Sequence, residues 1–212
     1  MLSRTTYSNR YKYKSLLKNK EDIEFSNIET QLVNWNIPKV SPDKIYDTGM
    51  FKIYSAMSIK TIEQTIPIGS FYDSIQLLTE PEINRYKDKY KYLHIGLVQV
   101  ALKPLTTEGL NTSLLIVLRD CKHNEFSDSL LGIIKSSLCN GHVYFDCHPN
   151  LFISLSEKNI FDVLTLNLQL AGYDMKVGSE HVNLTYRIYY KVMNTLSPNA
   201  HMYDYKDKTI LL

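Results

Sequence analysis

The clearest pattern in the chain is strict alternation late in the sequence. From Val163 to Leu170 the even positions 164, 166, 168 and 170 are all leucine, with Thr165, Asn167 and Gln169 between them. From Val182 to Val192 the even positions read Val, Leu, Tyr, Ile, Tyr and Val, with Asn183, Thr185, Arg187 and Lys191 opposite. Successive side chains on a strand point to opposite faces, so a sustained period of two predicts two long strands, each with one face in a core. Tyr92 to Ala101 is apolar on both faces, His94, Val98 and Val100 against Leu93, Ile95 and Leu97, which predicts a strand covered on both sides. Thr112 to Arg119 reads the same way. Gly109 and Asn111 supply turn chemistry between these two segments and predict that they pair antiparallel. Val143 to Cys147 and Leu151 to Leu155 are short strands around Pro149, while Leu130 to Leu138 fits a short helix as well as a strand.

Upstream the signal weakens. Residues 1–45 carry little periodicity and contain Pro38 and Pro42, the pattern of an arm with one short helix and an irregular link. From about residue 49 strand character begins, with Phe51, Ile53 and Met57 on one face and Lys52 on the other, followed by a short segment from Ile62 to Ile68 that ends at Pro67. One helix is predicted over Glu80 to Tyr90. Thr79 and Glu82 have capping-box spacing, and Pro81 sits in the first turn, where its missing N–H costs nothing. The charge of this helix places it on the outside. The predicted organisation is an arm and linker over 1–45, a β domain over 46–196 and a polar tail over 197–212. About eight strands, one or two short peripheral helices and no βαβ rhythm predict a mainly β, antiparallel sandwich or barrel.

Composition narrows the classes. The 212 residues are 44% hydrophobic and 22% charged, which is globular and not disordered, and the 16 tyrosines suit strands and half-wet surfaces. The longest uninterrupted apolar run, Leu114 to Leu118, is strand-sized, so membrane contact is expected to be peripheral. Met1-Leu2-Ser3-Arg4 opens a polar stretch without a signal-peptide core. Three irregularly spaced cysteines, Cys121, Cys139 and Cys147, argue for a reducing compartment, and cytosolic residence is expected. The net charge of +2 conceals an asymmetry: residues 1–20 hold Arg4, Arg10, Lys12, Lys14, Lys18 and Lys20 and no acid, which leaves −4 for the rest. These cations interleave with Tyr7, Tyr11 and Tyr13. Cations neutralise phosphates and rings stack on unpaired bases, so Arg4, Arg10, Tyr11, Lys12, Tyr13, Lys14, Lys18 and Lys20 form a candidate nucleic-acid-binding arm, set against a solvated terminus without a partner.

Catalytic readings fare poorly. Asp47-Thr48-Gly49 is the D-T-G of retroviral-type aspartic proteases, but bulky Met50 and Phe51 follow where that loop needs small residues, and a polar turn explains it as well. Cys139, His142, Cys147 and His148 are thiolate and imidazole ligands in principle. The adjacent pair would point to opposite faces of a strand, so the four do not converge easily on zinc. Cys121, His123 and Asp128 have the composition of a nucleophile, a base and an orienting acid, with nothing to enforce the geometry. The chain carries no P-loop, dinucleotide fingerprint or paired-carboxylate motif. A non-enzymatic protein with no cofactor and no metal is expected.

A family resemblance begins at His94. The run His94-Ile-Gly-Leu-Val-Gln-Val-Ala-Leu-Lys-Pro-Leu, then Glu108-Gly-Leu-Asn-Thr-Ser and Val117-Leu-Arg-Asp120, resembles the movement domain of plant reverse-transcribing DNA viruses of the caulimovirus family, especially its badnavirus-like members. It continues through Asp128-Ser-Leu-Leu-Gly132, Ser137-Leu-Cys-Asn-Gly-His-Val-Tyr-Phe145, Leu164-Thr-Leu-Asn167, Gly172-Tyr, Gly178-Ser-Glu180 and Lys191-Val-Met-Asn-Thr195. Such proteins form the thirty-kilodalton movement superfamily, whose signature is L-x-D followed several tens of residues later by glycine; Leu118, Asp120 and Gly172 match it. The resemblance implies a jelly-roll-like β fold and a role in moving the viral genome or particle between plant cells. It also implies binding of single-stranded nucleic acid without sequence preference, and self-association into oligomers or tubules. Further expected partners are viral coat protein or virions, and host plasmodesmal and peripheral membrane components. From the residues themselves, Asp120 at a strand end and Gly172 between two strands are expected to be architectural. The competing class is a capsid-like jelly-roll subunit whose activity is self-assembly, with nucleic acid incidental.

Overall fold

A computed structural model of the protein describes residues 36–46, 59–105, 112–172, 180, 182–196 and 209–211. The expected strand around Phe51, Ile53 and Met57 and the D-T-G at 47–49 lie outside them, as does the arm over 1–35. The packed unit begins at Ile37.

Two antiparallel sheets form this unit. The first runs β1 (Ile59–Ile68), β9 (Val182–Met193), β3 (Tyr92–Pro104) and β6 (Val143–Cys147), with β7 (Leu151–Ser154) pairing the same edge of β3. The second runs β2 (Tyr72–Gln76), β8 (Leu164–Gly172), β4 (Thr112–Asp120) and β5 (Leu130–Ser137), and β10 (Thr209–Leu211) adds to β5 in parallel. The pairs are nested: β1 with β9, β2 with β8, β3 with β6 and β7, β4 with β5. Two sheets built from strand pairs nested in this way are a jelly roll. Among the described residues the helical pieces are short: α1 (Pro42–Ile45), α2 (Glu80–Asn84), α3 (Phe126–Ser129) and two 3₁₀ turns.

The alternating leucines and tyrosines do what their period predicts. Leu164, Leu166, Leu168 and Leu170 from β8 and Val182, Leu184, Tyr186, Ile188 and Tyr190 from β9 share one buried cluster with the inward residues of β3 and β4. Full burial of each such side chain contributes roughly 1.5–3 kcal/mol.

Four expectations need correction. First, β3 and β4 do not pair: both edges of β3 are occupied, by β9 and by β6 with β7, so β4 lies in the other sheet. Second, the faces of β3 are not a strict period of two. The ladder with β9 shifts between Ile95 and Leu97, a bulge at Gly96. Leu93, Ile95, Val98 and Val100 therefore face the core, whereas Leu97 belongs to a separate cluster with Ile45, Tyr46 and Tyr189. Third, the helix over 80–90 is regular only to Asn84 and continues as turns. Thr79 makes no side-chain cap bond, and Glu82 instead meets the Tyr190 hydroxyl and Arg85 (3.4 Å). Tyr86 and Tyr90 lean inward, with Tyr86 6.1 Å from the Tyr190 ring. Fourth, the expected boundaries move. Residues 37–45 pack on the domain, with Ile37 and Ile45 buried, and part of the expected tail forms β10. Leu130–Ser137, left open between helix and strand, is β5. Pro67 does not end β1, because β1 is an edge strand and tolerates a missing donor.

At Gly96, β3 packs closely against Ile45 and Tyr46. A Cβ there would stand 2.6 Å from the Tyr46 ring and 2.8 Å from Ile45. Gly96→Ala should cost about 1–3 kcal/mol through overpacking. The expected result is a lower urea midpoint together with faster proteolysis within residues 37–46.

Candidate functional site

The signature residues fall at two places. Leu118 and Asp120 share the inward face at one end of β4. Leu118 is fully buried, and Asp120 is 4% exposed where the strand gives way to a turn. Asp120 Oδ1 accepts the backbone N–H of Lys122 (3.1 Å), its backbone carbonyl accepts from His123 (3.3 Å), and the Cys121 N–H donates to the Val163 carbonyl (2.8 Å). His123 Nε2 lies 3.7 Å from Asp120 Oδ2, a pair that attracts only when the imidazole is protonated. A short side chain that accepts from the backbone two residues on closes a turn, which is why Asp suits this position. Gly172 sits at the far end of the same ladder: Asp120 pairs with Leu164 and Thr112 with Gly172. The two ends are separated by roughly 27 Å of strand. Gly172 has φ 121°, in the region that side-chain-bearing residues avoid. Structure brings Leu118 and Asp120 together and holds Gly172 apart at the other end of the ladder.

The other sequence candidates disperse. Cys121 is exposed, and Asp128 accepts from its neighbour Ser127 Oγ (3.3 Å), so the Cys121, His123 and Asp128 set does not assemble. Cys147 is buried with its thiol toward the Leu131 carbonyl (3.4 Å), and Cys139 is exposed. Among the described residues no three His, Cys, Asp or Glu side chains gather as metal ligands.

A buried polar row on the outer face of the first sheet was not foreseen. Arg187, on the face of β9 opposite its core positions, is 4% exposed. Its Nη2 and Nε meet Glu63 Oε2 (2.6 and 2.7 Å), and its Nη1 donates to the carbonyls of Ile37 and Pro38 and to Gln99 Oε1 (each 3.2 Å). Gln99 Nε2 donates to the Pro38 carbonyl (3.2 Å), Tyr144 Oη (2.9 Å) and Asp146 Oδ1 (3.0 Å). Further along, the Tyr46 O–H donates to the His94 carbonyl (3.1 Å). His94 Nδ1 faces that hydroxyl (3.1 Å), and Nε2 faces Asn150 Oδ1 (2.9 Å). Asn150 adopts φ 48° in the break between β6 and β7, a conformation Asn tolerates. Lys191 Nζ lies 4.2 Å over the Tyr46 ring. The row fastens residues 37–46 across the sheet. The missed signal was polar residues interrupting a doubly apolar strand, His94 and Gln99, which require buried partners.

Burial sets the proton affinities here. His94 is held below its ordinary value of 6.5 chiefly by desolvation, with the Asn150 bond opposing and the Lys191 charge reinforcing. Lys191 is lowered by burial, and the Tyr186 hydroxyl is pushed up to about 12 by burial.

Residues 37–208, most of the chain, match the viral movement protein family. The chain belongs to that family. Curated relatives include the movement proteins of Figwort mosaic virus (28% identical over 153 residues, 68% of this chain and 47% of the relative), Cauliflower mosaic virus strain W260 (27% over 146 residues, 65% and 43%) and Soybean chlorotic mottle virus (28% over 161 residues, 71% and 52%). The chain spans about half the length of these relatives. Among solved structures, one of Desmodium yellow mottle tymovirus aligns over 66% of this chain and 83% of its own, at 14% identity and a TM-score of 0.44, too distant to bear on function. The movement family match begins at Ile37, where the fastened segment begins.

Two outcomes follow for this movement domain. Asp120→Ala should cost about 1–2 kcal/mol in urea unfolding by orphaning the Lys122 N–H, whereas Asp120→Asn, which keeps the acceptor, should cost less than half of that. Because the folded state disfavours His94 protonation, the unfolded chain binds more protons below pH 6.5. Stability should be full above that pH and fall on acidification until the folded-state value is passed. Urea midpoints measured from neutral pH downward should decline, and His94→Gln should flatten the slope.

Proposed function

We propose that the chain serves cell-to-cell transport of a plant virus. In this reading it binds nucleic acid, mostly single-stranded and without sequence preference, associates with copies of itself, and promotes passage of viral genome or particles through plasmodesmata. The observation that carries the reading is the family match over residues 37–208, supported by the relatives, each a movement protein. The work is binding and assembly, with no catalytic residue and no cofactor. Phosphates are met by the arm cations Arg4, Arg10, Lys12, Lys14, Lys18 and Lys20, and bases by Tyr11 and Tyr13. Further partners are viral coat protein or the virion, and host plasmodesmal and peripheral membrane components. Residence is in the host cytoplasm, concentrated at cell junctions. No helix among the described residues is long and apolar enough to cross a membrane. Leu118, Asp120 and Gly172 act as architecture, Leu118 by packing, Asp120 by closing the turn after β4 and Gly172 by adopting a positive φ at the end of β8.

The nested strand order supports a second reading, a capsid-like subunit that self-assembles and binds nucleic acid only incidentally, since jelly rolls build viral capsids. A mobility-shift titration against salt separates the two. With all six arm cations engaged on a single strand, log K should fall against log salt with a slope of roughly −4, and deleting residues 1–20 should flatten it. A flat response of the full chain would favour the assembly reading.

A further inference from the structure

The outward face of the β2-β8-β4-β5 sheet carries a shallow groove that neither the signature nor the fastened segment uses. Leu115, Val117 and Ile133 floor it, Asn167 and Gln169 line it, and Tyr72 and Phe126 stand over it. Tyr72 is 63% exposed and Phe126 54%, in a protein that fully buries Tyr46, Tyr186 and Tyr190. Both exposed rings are tethered. Asn167 Nδ2 donates to Tyr72 Oη and Ser74 Oγ (3.1 Å each), and the Arg119 guanidinium lies 5.3 Å over the Phe126 ring while its Nε donates to Ser129 Oγ (2.9 Å). Among the described residues no carboxylate lines the groove. Exposed Lys135 stands across from Leu115 in the β4–β5 ladder; the acids next to groove residues in sequence are Asp73, half-buried, and Asp120, buried, with exposed Glu125 and Asp128 flanking Phe126.

We propose that this groove takes the unpaired bases of a single nucleic-acid strand, with Tyr72 and Phe126 as stacking platforms and Arg119 and Lys135 toward the phosphates. The inference rests on the nucleic-acid reading above and adds to it a site in the body of the domain, independent of the arm. Ring faces held in place beside cations are what sequence-tolerant single-strand binding requires, because every base offers a π-face and the ordering cost is already met. An apolar partner would leave Arg119, Asn167 and Gln169 desolvated against it. A second copy whose two-fold axis ran through the groove would set Arg119 and Lys135 against their own counterparts. A nucleic-acid strand offers acceptors to the Arg119 guanidinium and partners to the Gln169 amide, while Asn167 stays on Tyr72 and Ser74.

The test is fluorescence anisotropy of the full chain with a fluorescein-labelled oligothymidylate. Tyr72→Ala and Phe126→Ala should each weaken binding about tenfold, while Tyr72→Trp and Phe126→Trp should hold it within about twofold. The salt slope should stay unchanged in all four, because the cations remain. Both rings are exposed, so thermal unfolding should be close to that of the parent chain. If the parent chain binds and the double alanine variant binds equally, the groove is not the site and the transport reading stands. If the parent chain does not bind the oligonucleotide, both fail. A double variant that loses self-association but keeps its affinity would assign the face to a second copy and overturn the proposal.

Discussion

The structure depends on β3 having no free surface. Its two edges are taken by β9 and by the β6–β7 pair, and its inner face packs against the second sheet. Its outer face is closed by residues 37–46, with Leu97 in contact with Ile45 and Tyr46. A strand covered on every side cannot leave a polar group unpaired, and His94 and Gln99 would be costly there without partners. The hydroxyl of Tyr46 and the amide of Asn150 supply them for His94, and the Pro38 carbonyl, the Tyr144 hydroxyl, the Asp146 carboxylate and the Arg187 guanidinium for Gln99. The fastened segment is thus part of the domain and not a linker to it.

Arg187 is the centre of that arrangement. It has one half-exposed carboxylate partner, Glu63, and three further acceptors, two of them backbone carbonyls of the segment. The planar guanidinium with its fixed fork of donors suits such divergent acceptors, where a lysine would meet only some of them. The bulge at Gly96 completes the fit by lowering the sheet surface where the Tyr46 ring crosses. Packing, hydrogen bonding and backbone geometry therefore agree on one position for residues 37–46.

The two outer faces of the jelly roll have different characters. One is covered over β3 and the middle of β9 by its own chain. The other, over β2, β8, β4 and β5, keeps rings, amides and a guanidinium at the surface. The signature residues lie under neither face as a cluster, since Leu118 and Asp120 anchor one end of the β4–β8 ladder and Gly172 ends the other. Family membership and surface chemistry are therefore carried by different residues, and the first does not locate the second.

Local pattern decided the strands. The leucines of β8 and the even positions of β9 needed only a period of two, because one face of each strand meets the core. The turn at Asp120 was equally legible, since an aspartate that accepts a backbone N–H two residues on acts within its own neighbourhood. Tertiary structure alone decided which strands pair, because the partners of β3 are far away in sequence and the turn residues at 109 and 111 carry no information about edges already occupied. It decided the fate of Arg187 as well: alternation assigns a face, and only the segment laid over that face makes it an interior. The single residue gained at Gly96 exchanges the two faces of β3 beyond it, a shift no fixed period follows, and the Tyr46 ring, fifty residues away in sequence, fills the space a Cβ would need there.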